Sequence, residues 1–248
     1  MVPMTPEQAA LLERDLRSIF AARLQSLVAY GHRTADGSSN GHAHAAGHRA
    51  QPAAHALAIV DSLTGSDLRA CAESAARWHD AGLATPLLLA AGELERSLDA
   101  FPLELGAIIA DHTIVCGRNP FEGVSVDPAD LRRACEVQAR SHLLHLREGF
   151  VETHGHGDAV AVLIVRSAAP LAALLQTVSR LDGAEPRDAA AAARRLERAL
   201  DLPPGALAGI VQLVPVKEIP AADAVRMFPS YLDAVERLVR YVDTWSRP

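Results

Sequence analysis

Ser26-Leu27-Val28-Ala29-Tyr30-Gly31 is a short apolar run that stops at a glycine, and it predicts a buried strand with a turn at its end. Upstream, Thr5-Pro6-Glu7-Gln8 has the composition of a helix start, with Thr5 as the N-cap and Gln8 at the capping-box position. Apolar residues then recur at helical spacing as far as Leu24. The chain is therefore expected to open with an amphipathic helix followed by a strand.

The residues after Gly31 are mostly Gly, Ala, Ser, Asn and His up to about residue 54, and they predict a long loop. A second apolar run, His55-Ala56-Leu57-Ala58-Ile59-Val60, predicts another strand, and Ser66-Asp67 begins a helical pattern. The other elements of this half are a predicted strand at 86–89, a short helix at 93–98, and strands at 101–109 and 112–117. The first half is therefore expected to be a mixed sheet with flanking helices.

After Val126 only helical patterns remain. Asp127-Pro128 is an N-cap followed by a proline at the first helical position, and the apolar spacing continues to about Thr153. Further helices are predicted at 158–181, 188–200, 204–213 and 221–245, with a kink or a split at Pro170. We expect an α+β domain over residues 1–123, with its loop at about 31–54, and an all-α helical bundle over 127–248.

Composition restricts the class of protein. The 248 residues are 49% hydrophobic and 22% charged, which is typical of a soluble globular chain. A net charge of −6 provides no basic field for nucleic acid, and the apolar stretches are broken by charges too often for a membrane span. Three cysteines without a C-x-x-C pair favour a reducing compartment. We expect a cytoplasmic protein that binds neither membranes nor nucleic acid.

Three segments give this order of elements a resemblance to a known family: Tyr30-Gly31, the stretch from Phe101 to Gly117, and the helix from Leu131 to Phe150. The layout resembles the nucleotidyltransferases of the DNA polymerase beta-like superfamily, in particular the two-domain bacterial type of the aminoglycoside nucleotidyltransferases. The resemblance implies a first strand ending in Gly-Ser, which holds the nucleotide phosphates, and a second strand beginning with Asp-x-Asp, whose carboxylates bind Mg²⁺. It also implies a third acid on a neighbouring strand.

The sequence departs from that pattern at most of these positions. Gly31 stands at the glycine, but His32 replaces the serine, and the two carboxylate positions fall within Ala54-His55-Ala56-Leu57 in either register. Asp61 lies at the far end of that strand, and only Glu104 matches the third acid. Because one glutamate cannot assemble a two-metal site, the resemblance implies a nucleotidyltransferase-like protein with a degenerate motif and no catalytic residues.

The histidines of the predicted loop have two functional interpretations and one structural interpretation. Imidazoles suit Zn²⁺, Ni²⁺ or Cu²⁺, so His42, His44 and His48 are candidate metal ligands. The surrounding Gly/Ala-rich stretch lacks the scaffold that fixes ligand geometry, which favours compositional drift in a loop, and residual ligand contact is the third interpretation. The candidate ligand-binding residues of the vestigial cleft are Gly31, His32, His55 and Glu104.

One further pattern lies on the first helix of the predicted bundle. His142 and His145 lie three residues apart, and Arg132, Arg133, Arg140 and Arg147 lie along the same helix. Such a stripe is typical of a solvated helix face, although in the resembled family the corresponding helix borders the cleft and could meet a nucleotide or an acidic ligand. The sequence leaves both interpretations open.

Three functions follow from these observations. The first is a catalytically degenerate protein that needs no cofactor and binds a nucleotide, or binds a protein partner or a second copy through its helical domain. The second is an active nucleotidyltransferase that uses Mg²⁺ and a nucleoside triphosphate at a site rebuilt from Glu104, His55 and other acids. The third is a structural or interaction protein with a vestigial cleft. Metal-dependent nucleotide transfer would distinguish the second from the others.

Overall fold

The computed structural model describes residues 3–31, 53–184 and 186–246. The described chain divides between Asp127 and Pro128 into two compact units, an α/β domain and a helical domain. His32, His42, His44 and His48 lie outside the described residues, as does most of the predicted loop.

The first domain is built around a mixed sheet of four strands among the described residues. The strands are β1 (Leu24–Tyr30), β2 (His55–Val60), β3 (Leu87–Ala90) and β4 (His112–Gly117), in the order β3-β2-β1-β4. β1 runs antiparallel to both β2 and β4, whereas β2 runs parallel to the edge strand β3. β1 and β2 are therefore central strands, and both are almost entirely buried.

Two helices cover one face of this sheet, α1 (Pro6–Phe20) and α2 (Gly65–Asp80). Each begins with a capping box, at Thr5 and at Thr64, in which the threonine and the residue three positions later satisfy each other's free backbone N–H groups. Their apolar residues pack with Trp78, the small residues of β2 and the first residues of β1 in one buried cluster. The predicted opening helix and its cap are found as expected.

The opposite face is covered by α3 (Glu93–Ser97) and α4 (Pro102–Ala110). Here the buried side chains are the other half of the alternating β1 and β2 residues, together with apolar residues of the two helices and Phe121. The alternation of Cβ directions along a strand explains why neighbouring residues of β2 belong to different clusters. The domain is thus a sheet between two helical layers.

The predicted strand over 101–109 is wrong, because these residues form α4. Pro102 occupies the first helical turn, where its missing N–H costs no hydrogen bond. Leu105 and Ile108, three residues apart, are both buried against the sheet. This i, i+3 spacing is helical, and it outweighs the short alternation around Glu104 that suggested a strand.

The second domain is helical throughout its described residues. Its helices are α5 (Pro128–Glu152), α6 (Gly157–Leu181), α7 (Ala189–Ala199), α8 (Ala208–Val211) and α9 (Ala221–Thr244). α6 is central, since it packs against α5, α7, α8 and α9. It runs unbroken through Pro170, so the predicted split at that residue does not occur.

Among the described helices, α6 is long and apolar enough to cross a membrane by length and composition alone. The core helix of a soluble protein passes the same test, and Leu171, Leu174, Leu175 and Val178 are completely buried among the neighbouring helices. Packing within the bundle accounts for the apolar composition of α6.

Candidate functional site

The predicted cleft residues lie where β1 ends and β2 begins. Tyr30, the last residue of β1, is paired with His55 on β2 and with His112 on β4. The Tyr30 and His55 rings lie 5.6 Å apart between centroids, at an angle of 43°. Three rings therefore form a row across the end of the sheet at which β1 ends and β2 and β4 begin. We call this row the ring edge (Tyr30, His55 and His112).

Gly31 continues the chain beyond the ring edge with a φ of 79°. That left-handed conformation favours glycine, because a Cβ atom would crowd the backbone. Its N–H donates a hydrogen bond to the carbonyl oxygen of Asp111, at 3.1 Å. A phosphate-binding turn needs backbone N–H groups that are free to meet the ligand. Gly31 therefore has a left-handed conformation, and its N–H donor is occupied by an acceptor of the protein itself.

Two of the three rings of the ring edge, those of Tyr30 and His55, are uncharged at neutral pH. Burial lowers the pKa of His55, and burial raises the pKa of Tyr30 to about 12. Both shifts have the same cause, since a partly desolvated group favours its neutral form. The two side chains can stack against a ligand or exchange hydrogen bonds with it, but they offer no charge to a phosphate.

His112 is held in a defined orientation by two neighbours. Its Nδ1 donates to the carbonyl oxygen of Ile109, at 3.0 Å, and its ring meets the edge of Phe121 at 4.8 Å between centroids. Because a carbonyl oxygen only accepts hydrogen bonds, Nδ1 carries a proton and Nε2 is the nitrogen left for other partners. His112 was not among the candidate residues, since its pairing with Tyr30 is not visible in the sequence.

Glu104 lies in the first turn of α4 rather than on a strand. A carboxylate in the first turn stabilises a helix through the helix dipole, so Glu104 has a structural function in this position. It is half-buried. The arrangement implied by the resemblance, with a third acid on a neighbouring strand, is therefore not reproduced.

The described residues of this edge do not fit a magnesium site. Ala54 and Ala56, on either side of His55, are buried in the cluster beneath α1 and α2. Asp61, at the far end of β2, accepts a hydrogen bond from the Gln25 side chain. Mg²⁺ is bound by carboxylate and other oxygen ligands, and no group of three His, Cys, Asp or Glu side chains in the described chain could hold a metal ion.

The buried acids of the first domain lie elsewhere and have structural partners. Oδ2 of Asp15 accepts hydrogen bonds from Trp78 Nε1, at 2.9 Å, and from Arg77, at 2.7 Å. Asp67 accepts two hydrogen bonds from Arg23, at 2.7 and 2.8 Å, and these bonds hold the pKa of Asp67 well below its usual range. Both carboxylates tie α2 to the segment that precedes β1.

The arginine stripe of α5 is paired within the helical domain. Arg140 contacts Glu136 at 3.3 Å and Asp243 at 2.7 Å, while Arg147 contacts Glu236 at 2.7 Å. These contacts with α9 support the interpretation of the stripe as a structural helix face. His142 differs from the stripe: it is half-buried, its Nε2 lies 2.7 Å from the Tyr231 hydroxyl, and burial lowers its pKa to about 4.

Protein-family models and curated protein sequences give no match to this chain. Among solved structures, the fold is similar to that of the spectinomycin adenyltransferase AAD(9) from Enterococcus faecialis, determined with ATP and spectinomycin. The TM-score is 0.55 at 13% identity, and the match covers 94% of this chain and 99% of that chain. This likeness concerns the fold, and it confirms the expected architecture: a nucleotidyltransferase-like mixed sheet with flanking helices, followed by a helical domain.

Proposed function

We propose that this chain is a catalytically degenerate protein of nucleotidyltransferase fold, which binds a nucleotide at the ring edge without transferring it. One observation carries the proposal: the start of β2 presents His55 between two buried alanines, where the resembled enzymes have two carboxylates. The similarity in fold to an adenyltransferase supports the nucleotide as the ligand.

Nucleotidyl transfer requires groups that neutralise negative charge, and the residues of the ring edge do not provide them. The reaction develops negative charge on the phosphoryl group, and metal ions held by carboxylates neutralise that charge. Neutral imidazole and phenol groups cannot do so, and Glu104 lies in the first turn of a helix. A nucleotide bound here would keep its phosphates intact.

Binding, in contrast, can use the groups that are present. The half-buried rings of Tyr30 and His55 offer surfaces on which a base can stack, and such stacking contributes about 1–3 kcal/mol per base. Nε2 of His112 adds a hydrogen-bonding nitrogen at the same edge. This interaction requires no metal and no other cofactor.

A second candidate function is protein binding or self-association through the helical domain. Val137, Leu144 and Val151 lie seven residues apart on α5 and are 65%, 62% and 72% exposed. Residues at that spacing share one side of a helix, so they form an exposed apolar stripe. A partner helix would bury it.

We also propose that the protein works in the cytoplasm. Cys71, Cys116 and Cys135 are all free thiols, and Cys71 and Cys135 are buried. Unpaired cysteines are typical of a reducing compartment.

Isothermal titration calorimetry with ATP, combined with an assay for pyrophosphate release in the presence of spectinomycin and Mg²⁺ or Mn²⁺, tests the proposed function. We expect saturable binding without pyrophosphate release. We expect His55→Ala to weaken binding about 10-fold, because a stacking and hydrogen-bonding group is lost, and His79→Ala, at an exposed histidine of α2, to have no effect.

Two other results of these assays would overturn the proposal or part of it. Metal-dependent pyrophosphate release would overturn the proposal in favour of a rebuilt metal site. An absence of binding would overturn the nucleotide assignment and leave the helical domain as the functional part, which sedimentation of the purified chain would then test.

A further inference from the structure

An open cavity of about 310 Å³ between α5 and α6 marks one side of the helical domain. Its lining includes two exposed residues of α5, Ser141 and His145, and two exposed residues of α6, Arg166 and Pro170. Side chains three or four residues apart share one side of a helix, so the exposed residues at those spacings belong to the same surface. We call this surface the α5–α6 face, and its members are Leu144, Glu148 and Val151 on α5 with Val162, Arg166 and Pro170 on α6.

Apolar side chains make up much of the α5–α6 face. Leu144, Val151 and Val162 are each at least 50% exposed. Exposed apolar side chains that lie together mark a surface on which another molecule packs, because covering them removes apolar area from water. The face is therefore suited to a partner surface that is itself apolar.

The residues of the two helices can be matched by their levels along the helix axes. α5 and α6 run antiparallel, since a short connection joins them and they pack along their lengths. Gly149 packs against Leu163, whose Cδ1 would lie 2.6 Å from a Cβ atom at that glycine, so these two residues are level. Counting away from them at 1.5 Å per residue, each exposed α6 residue of the face lies within about 3 Å of the level of an exposed α5 residue. The matched pairs are Leu144 with Pro170, Glu148 with Arg166, and Val151 with Val162.

The charges of the middle pair lack strong partners among the described residues. Arg166 makes no ion pair with any of them, and the ion pair of Glu148 is with the exposed His145, at 3.4 Å. Arg140 and Arg147 of α5 are, in contrast, paired with acids of α9. A surface that brings an arginine to Glu148 and a glutamate to Arg166 would complement both charges. A second α5–α6 face is such a surface.

We propose that two copies of this chain associate through the α5–α6 face and form an antiparallel four-helix bundle. A two-fold axis parallel to the helices places α5 of each copy on α6 of the other without changing the levels of their residues. All neighbouring helices of the bundle are then antiparallel. The contacts, each made twice, are Leu144 with the partner's Pro170, Glu148 with the partner's Arg166, and Val151 with the partner's Val162.

The size of the α5–α6 face is sufficient for a stable dimer. α5 and α6 each contain 25 residues. Such a helix is about 37 Å long, and two packed helices lie about 10 Å apart, so the pair presents about 700 Å². Two copies would bury about 1,400 Å² in total, which lies within the range of specific, stable interfaces.

Sedimentation equilibrium of the full chain at micromolar concentration tests the dimer. We expect a particle of twice the chain mass of 26.3 kDa. Leu144→Glu should give a monomer, because it places charge in the apolar interface, whereas Val225→Glu, at an exposed valine of α9 outside the face, should leave the dimer intact. A monomeric wild type, or a dimer that survives Leu144→Glu, would overturn the proposal.

Charge reversal distinguishes this arrangement from other dimers. Glu148→Arg and Arg166→Glu each place like charges opposite each other, so each should weaken the dimer at least about 10-fold. An equimolar mixture of the two variants should recover the wild-type affinity, because every matched pair again has opposite signs. Both positions are exposed, so these substitutions do not threaten the fold. A mixture that associates no better than either variant alone would contradict the arrangement.

The inference rests on the self-association proposed as the second candidate function, and it specifies the surface and the partner. It does not depend on nucleotide binding at the ring edge, and the two can fail separately. Monomeric Leu144→Glu should still bind ATP in calorimetry. A wild-type dimer without ATP binding would overturn only the ring edge, and an ATP-binding monomer would overturn only the dimer.

Discussion

The two faces of the first-domain sheet differ in what their polar residues do. Beneath α1 and α2, the carboxylates of Asp15 and Asp67 are buried, and each accepts hydrogen bonds that tie one element to another. At the ring edge, Tyr30 and His55 are neutral, and the start of β2 has no carboxylate. The buried acids of this domain stabilise the fold, whereas the start of β2 has no carboxylate.

The largest effect is expected from removing a structural acid. Asp15→Ala leaves the buried Trp78 Nε1 without an acceptor and Arg77 without its partner, so it should lower the free energy of unfolding by about 3–4 kcal/mol. Urea denaturation measures the change. Glu13→Ala, which removes a more exposed pair with Arg17 on the same helix, should cost less than about 0.5 kcal/mol. A similar effect of both substitutions would contradict the structural function of Asp15.

In the helical domain, the half-buried side chain of His142 should affect stability because burial disfavours its charged form. The pKa of His142 is lowered from 6.5 to about 4 in the folded chain, so the unfolded chain takes up a proton first as the pH falls. His142 should therefore lower stability progressively from pH 6.5 down to about pH 4, by about 3 kcal/mol in total. His142→Gln should remove this part of the pH dependence, whereas His145→Gln, at an exposed position, should not. Parallel stability curves for the wild type and His142→Gln would count against this account.

A smaller effect on stability is expected at the ring edge. His55→Ala removes a half-buried ring that contacts Tyr30, and it should lower the free energy of unfolding by about 1 kcal/mol. Denaturant titration of His55→Ala and Asp15→Ala under the same conditions compares their free energies of unfolding. A loss as large as that of Asp15→Ala would mean that His55 supports the fold rather than a ligand site.

The smallest effect is expected for Glu104. Its carboxylate lies in the first turn of α4, so Glu104→Ala should cost about 0.5 kcal/mol through the helix dipole. Thermal unfolding of the variant and of Glu104→Gln, which removes only the charge, measures this contribution. A loss of several kcal/mol would place Glu104 in a buried ionic network.

Most of the fold could be predicted from local patterns. The capping box at Thr5, the apolar run before Gly31 and the proline at the start of α5 each specify an element through a few neighbouring residues. α4 was missed because Pro102, Leu103, Glu104 and Leu105 alternate over a stretch too short to distinguish the two periods. The later recurrence of apolar residues at Leu105 and Ile108 contained the correct signal.

The sites were less predictable, because their contacts join residues that are distant in sequence. The absence of carboxylates at the start of β2 is visible in the sequence, and so is the position of His55 as the first residue of that strand. In contrast, Tyr231 lies 89 residues from His142 and 64 from Ser167, so nothing local distinguishes His142 from a surface histidine. Only the packing of α5, α6 and α9 brings them together.

The most direct test of the central claim is a calorimetric titration with ATP, performed once with Mg²⁺ and once with a chelator. We expect the same dissociation constant in both conditions, within about twofold, since no group of three His, Cys, Asp or Glu side chains among the described residues could hold a metal ion. Binding that is at least about 10-fold tighter with Mg²⁺, accompanied by pyrophosphate release, would contradict the claim.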